Sequence, residues 1–159
     1  MLCCTIGAAQ TKVGTVDVNF ILGNMPELSN VQKTVDLYGN QLDADLAKKT
    51  KKYDTLINAY KAGIESFTPE QLQEKQNEIV ALENDINVFR QNGAKLMALK
   101  RDDALRPLYQ KIGQAVEKIA KAGGYTQILQ TSANMAYLDK QYDITLAVIK
   151  ELGIVLKEE

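Results

Sequence analysis

The sequence predicts an α+β chain: a long antiparallel α-helical coiled-coil hairpin arm projecting from a small β body. Three observations predict it. A stretch from Glu27 to about Ala62 lacks proline and carries apolar residues at helical steps. A second run, from Pro69 to about Ala122, carries a heptad seam. Short strand-like stretches flank these two runs rather than separating them.

The opening, Met1 to Gln10, is uncharged and rich in small and apolar residues. Gly7-Ala8-Ala9 puts small side chains where a signal peptidase reads. Residues 1–9 therefore read as the trailing part of an export signal, with the mature chain starting near Gln10. Both cysteines, Cys3 and Cys4, would leave with it, and a cysteine-free body suits an oxidising compartment. Residues 10–25 and 101–159 are expected to form a β-rich association body, and residues 26–100 the arm.

From Val13 the pattern alternates. Val16, Val18 and Phe20 share one face, and Thr15, Asp17 and Asn19 the other, as in a half-buried strand. Gly23-Asn24 breaks it, and Pro26-Glu27 can open a helix. In that helix Val31, Leu42, Tyr53 and Ile64 recur every eleven residues, a period of nearly straight packing. Gly63 can stop it. Thr68-Pro69-Glu70-Gln71 is a strong restart: Thr68 caps, Pro69 fits the first helical position, and Gln71 completes a capping box. In the second helix Leu72, Ile79, Ile86 and Gly93 are seven apart, as are Leu82, Phe89 and Leu96. Pro107 interrupts it with an expected kink, and Gly123-Gly124 ends it. Tyr125–Thr131 reads as a second strand and Asn134–Asp139 as a third. Asp143 can cap a last helix running to Leu152 and closed by Gly153.

A five-residue connection makes the two long helices antiparallel neighbours. With the turn near residue 66, residue i should face about 131 − i, so Tyr38 would meet Gly93, Leu42 Phe89 and Tyr53 Ile79. Three short strands leave two open edges, and association of several copies through them is the simplest remedy.

Composition excludes whole classes of chemistry. With no histidine, His-based general acid–base catalysis, Ser-His or Cys-His nucleophiles and His metal sites are all absent. The 19 basic and 20 acidic residues lack the basic excess of a nucleic-acid binder. No cofactor and no enzymatic activity are expected. Asp17, alone among its strand neighbours, has no converging acid or nucleophile.

Taken in order, five pieces resemble the Skp (OmpH-like) family of periplasmic chaperones. They are Val13-Gly14-Thr15-Val16-Asp17-Val18-Asn19, the arm, Leu108-Tyr109-Gln110-Lys111-Ile112, Gly124-Tyr125-Thr126-Gln127-Ile128-Leu129, and Tyr142-Asp143-Ile144-Thr145. The resemblance covers about residues 12 to 153. It implies a homotrimer whose strands pool into a shared β-barrel and whose three arms enclose a cavity. It also implies an ATP-independent holdase for unfolded outer-membrane β-barrel proteins in the periplasm of a Gram-negative bacterium. The best-known members are strongly basic, whereas this chain carries a net charge of −1. That departure leaves room only for weak membrane-surface contact.

Within this frame Leu37, Leu56, Ile64, Phe67 and Met97 are apolar client-binding candidates. Lys48 and Lys51, in the run Lys48-Lys49-Thr50-Lys51-Lys52, could grip acidic client segments or anionic lipid. The plainer alternatives are a clasp closing the turn for Phe67, and a solvated helix face with cross-hairpin pairs (Lys48 to Glu83, Lys52 near Glu78) for the lysines. Val16, Val18, Phe20, Ile128, Leu129 and Tyr137 are candidates for core or trimer interface. The alternative function is a coiled-coil spacer or assembly adaptor that binds a defined folded partner. A prefoldin-like holdase is disfavoured because its strands lie between its helices.

Overall fold

Asp17 decides how the chain begins. In the computed structural model, which describes residues 11–132 and 135–156, strand β1 (Val13–Val16) stops one residue before it. The Asp17 side chain accepts a hydrogen bond from the Phe20 backbone N–H at 2.8 Å and caps helix α1 (Val18–Asn24). The expected strand through Phe20 is thus half helix. Three alternations cannot outweigh a capping carboxylate followed by Ile21 and Met25 at helical spacing, and both of those are buried. Val18 and Phe20 accordingly lie on α1.

Helix α2 (Leu28–Gly63) begins past the turn at Pro26 and Glu27, and helix α3 (Pro69–Ala122) runs without a break through Pro107. The expected capping box forms. Thr68 Oγ1 accepts from the Gln71 N–H at 3.3 Å, and Gln71 Oε1 accepts from the Thr68 N–H at 2.9 Å. Gly124, at φ +65°, ends α3 in the left-handed conformation that glycine takes without strain. Strand β2 (Gln127–Gln130) then pairs with β1 in parallel, Val13 opposite Gln127 and Val16 opposite Gln130.

The expected third strand does not form. Met135–Asp139 is irregular, and Asn134 lies outside the described residues. Asp139 instead caps a 3₁₀ turn, Lys140–Tyr142, by accepting from the Gln141 N–H at 3.1 Å. Asp143 touches β1 only as an isolated parallel bridge to Thr15. Helix α4 (Thr145–Glu151) follows. Its formal cap is Ile144, but the Asp143 carboxylate accepts from the Thr145 N–H at 2.9 Å and from its hydroxyl, so Asp143 acts one residue further out than expected.

The chain divides into two compact units: one holds the residues up to Ser29 together with those from Leu105, the other is Asn30–Ala104. In the first unit the core is Val16, Ile21 and Met25, then Leu105, Leu108, Ile112 and Ala115 along α3, then Ile144, Val148 and Ile149. The α3 contribution steps by three and four, so one stripe of the helix faces this core. Ile128 and Tyr125 close over Gly14: a Cβ on it would lie 2.8 Å from Ile128 Cδ1 and from a Tyr125 ring carbon, so those side chains would have to shift.

The second unit is an antiparallel hairpin. Its α3 seam is covered at Leu72, Lys75, Ile79, Leu82, Ile86, Phe89, Gly93 and Leu96, a regular alternation of steps of three and four. Its register departs from the expected one. Lys49 pairs with Asp85, the Tyr60 hydroxyl accepts from Gln76 at 2.8 Å, and Gly39 lies under Met97. The 131 − i rule would place Leu82, Gln71 and Asn92 there, three to five residues earlier on α3. Side chains lean toward the N-terminus of their own helix. In an antiparallel pair that lean carries α2 side chains away from the turn and α3 side chains toward it. Partners therefore sit further along α3 than a mirror of residue numbers allows. Tyr38 consequently lies under the Lys100 ammonium, 5.5 Å from its ring centre, rather than over Gly93.

Candidate functional site

One face of the hairpin carries an open groove of about 900 Å³. Leu56 and Ala59 of α2 and Ala81 and Leu82 of α3 supply its apolar surface. Lys48, Lys51 and Lys52 line the α2 side, and Glu78 and Asp85 the α3 side. The helical phase explains the layout. Leu56 and Leu82 are half-covered seam residues, while Ala59 and Ala81 are exposed and too small to fill the space beside them.

Charges around the groove are unevenly satisfied. Asp85 is held by Lys49, and Glu78 by Lys75 at 2.9 Å. Lys48 reaches back one turn to Asp45 at 3.0 Å. Hydrogen bonds from Gln41 and then from Lys48 hold the Asp45 carboxyl below the usual carboxylate range. The expected pair of Lys48 with Glu83 is replaced by this contact within α2, and the cross-hairpin ion pair falls one residue on, at Lys49. Lys52 and Glu78 share the groove without an ion pair between them.

The other client-binding candidates scatter. Leu37 is 70% exposed on α2. Ile64, just past the end of α2, is about half exposed. Phe67 folds its ring back onto Gly63, where a Cβ would collide with three ring carbons, so it closes the turn. The Met97 thioether packs on Gly39, with Cε 3.3 Å from where a Cβ would sit. Only Leu56, Lys48 and Lys51 come together. The sequence reading missed Ala59, Ala81, Lys52, Glu78 and Asp85 as groove residues. It also missed Val80 and Val88, exposed neighbours of the seam residues Ile79 and Phe89.

In the first unit, Val16 is core and Ile128 is half-buried against Gly14. Leu129 and Phe20 are about half exposed, and Tyr137 is 82% exposed. Leu146 of α4, not singled out from sequence, is 66% exposed. Among the described residues β2 pairs with β1 alone. Among the same residues no group of three or more His, Cys, Asp or Glu is placed to hold a metal, and no helix is long and apolar enough to cross a membrane. Cys3, Cys4 and the expected export segment 1–9 lie outside the described residues.

A sequence model of the family described as outer membrane protein (OmpH-like) matches residues 12–152. The chain belongs to the OmpH-like family. A solved structure described as an OmpH-like outer membrane chaperone from Caulobacter crescentus has the same fold, with a TM-score of 0.67 at 20% identity. That comparison covers 95% of this OmpH-like chain and 89% of the other. No curated protein matches it.

Proposed function

We propose that this OmpH-like chain is an ATP-independent holdase that binds unfolded outer-membrane β-barrel proteins and keeps them from aggregating. In this reading three copies pool their strands into a shared barrel, and their hairpins bound a cavity for the client. The chain works in the periplasm after export through an N-terminal signal, and no catalytic step is involved. The observation that carries the reading is the family match across both units, residues 12–152.

Two features of the first unit support assembly. Its sheet has only two strands among the described residues, with no second partner for β2. Leu129, Tyr137 and Leu146 stand exposed, apolar surface of the kind that subunit contacts cover. Holding without ATP requires many weak contacts rather than one tight one, and confinement makes them sufficient through effective concentration.

The test is sedimentation velocity of the purified chain, alone and after a urea-unfolded outer-membrane β-barrel protein is diluted into it. A three-chain species that retains the client in a discrete soluble complex is the expected result. A trimer that leaves the client to aggregate would move the function to a spacer or adaptor. A monomer or dimer would refute the shared barrel.

A further inference from the structure

The charges that line the hairpin groove do not cancel. Its rims carry three lysines against two carboxylates. Both carboxylates are already engaged by lysines outside the groove, Asp85 by Lys49 and Glu78 by Lys75. Lys48 is engaged by Asp45. Lys51 and Lys52 have no ion-pair partner among the described residues, and both are exposed. The groove therefore offers two uncompensated ammonium groups above an apolar surface made by Leu56, Ala59, Ala81 and Leu82. The small side chains of Ala59 and Ala81 leave room for a guest's apolar groups, and the long lysine stems can lie along them while the charged heads reach over.

We infer that this groove seats segments of unfolded polypeptide in which carboxylates flank apolar side chains. The inference rests on the holdase reading and gives it a selectivity. A client would enter the groove by its acidic-apolar stretches, whereas stretches flanked by lysine or arginine would be repelled at Lys51 and Lys52. The near-zero net charge of the chain, −1, makes this a local preference rather than a long-range field. It should act on which segment docks, and little on how fast chains arrive.

The experiment uses the full chain and two labelled sixteen-residue peptides with the same apolar residues, one flanked by glutamates and one by lysines. Binding is read by fluorescence anisotropy at low salt and at 1 M salt. Two exposed ion pairs correspond to roughly a three- to tenfold preference for the acidic peptide. The preference should disappear at 1 M salt, where the screening length is about 3 Å. The double variant Lys51→Gln/Lys52→Gln, with unchanged helix propensity, should lose the preference while keeping its helical circular dichroism. Ala81→Gln fills the groove from an exposed position and should weaken both peptides. Ala94→Gln, also exposed on α3, should weaken neither.

Equal binding of the two peptides, or a preference that survives in the double variant, overturns the inference. So does displacement of the acidic peptide by anionic phosphatidylglycerol vesicles at lower concentration than by unlabelled peptide, which would assign the lysines to a lipid surface. Client holding by the wild-type chain is measured in parallel. Its loss would overturn the holdase reading, whereas intact holding without peptide preference would overturn only the groove assignment.

Discussion

Gly63 and Phe67 form a clasp whose energetics should change sign when one member is removed. Gly63 is the last residue of α2 and has no positive φ, so its backbone accepts alanine. In a helix, alanine is favoured over glycine by about 1 kcal/mol. The obstacle is steric. A Cβ on Gly63 would collide with Cζ, Cε1 and Cε2 of the Phe67 ring. Cζ lies on the axis about which the ring flips, so a flip does not clear it, and the whole side chain must move. Overpacking of this kind costs about 1–3 kcal/mol. Gly63→Ala should therefore destabilise the wild-type chain by about 1 kcal/mol. In a Phe67→Ala background the same change should stabilise it by up to about 1 kcal/mol, a coupling of about 2 kcal/mol. The assay is urea unfolding followed by circular dichroism at 222 nm, at one fixed protein concentration because assembly shifts apparent stability. The same sign and size of effect in both backgrounds would refute the clasp.

Three further expectations follow from backbone, cap and charge. Gly93 has nothing within 4 Å of a Cβ, so Gly93→Ala should stabilise by about 0.5–1 kcal/mol; Gly124→Ala, at φ +65°, should cost about 1–2 kcal/mol, and thermal melts of the two should shift in opposite directions. Asp17→Ala removes the α1 cap and should cost about 1 kcal/mol, while Asp17→Asn, which still accepts from the Phe20 N–H, should recover most of it in the same urea titration. The Glu27 carboxyl is held below its ordinary value of 4.5, first by the Lys111 hydrogen bond and then by a backbone N–H. Because its folded pKa is the lower one, its contribution is present above pH 4.5 and lost as pH falls through the folded value. Lys111→Met should accordingly lose stability at pH 7 and show a flatter decline toward acid, measured as urea midpoints at pH 7 and at a pH well below 4.5.

The long helices were legible because their signals are local and repeated. Each seam position in α3 reinforces the next, and Thr68 and Gln71 announce the restart within four residues. The short elements were not. Val16, Val18 and Phe20 alternate like a strand, yet one carboxylate at Asp17 redirects the backbone. Met135–Asp139 has strand-like composition but forms no ladder to β1 or β2 among the described residues. The hairpin register failed for a different reason: residue numbers mirror Cα positions, while contacts follow the lean of the side chains. The groove was half visible. Lys48, Lys51 and Leu56 stand out by charge and size, but Ala59 and Ala81 matter for the volume they leave empty, and an absent side chain gives no pattern to read. The pairing of Asp85 with Lys49, which leaves Lys51 and Lys52 uncompensated, depends on a register the sequence did not supply.

The parallel ladder between β1 and β2 also bears on the order in which the chain folds. The hairpin can close on partners as near as the sixteen residues that separate Tyr60 from Gln76. The ladder joins residues such as Val13 and Gln127, which are 114 positions apart. Contacts that distant in sequence form late, because the intervening chain must be ordered before they return any energy. In a chain threaded out N-terminus first, β1 is the first element to emerge and the last to pair. It waits as an unpaired strand while more than a hundred residues follow it out. A nascent OmpH-like chain therefore spends its early life in the same condition as the clients proposed for it, with an apolar strand edge exposed and no partner yet made.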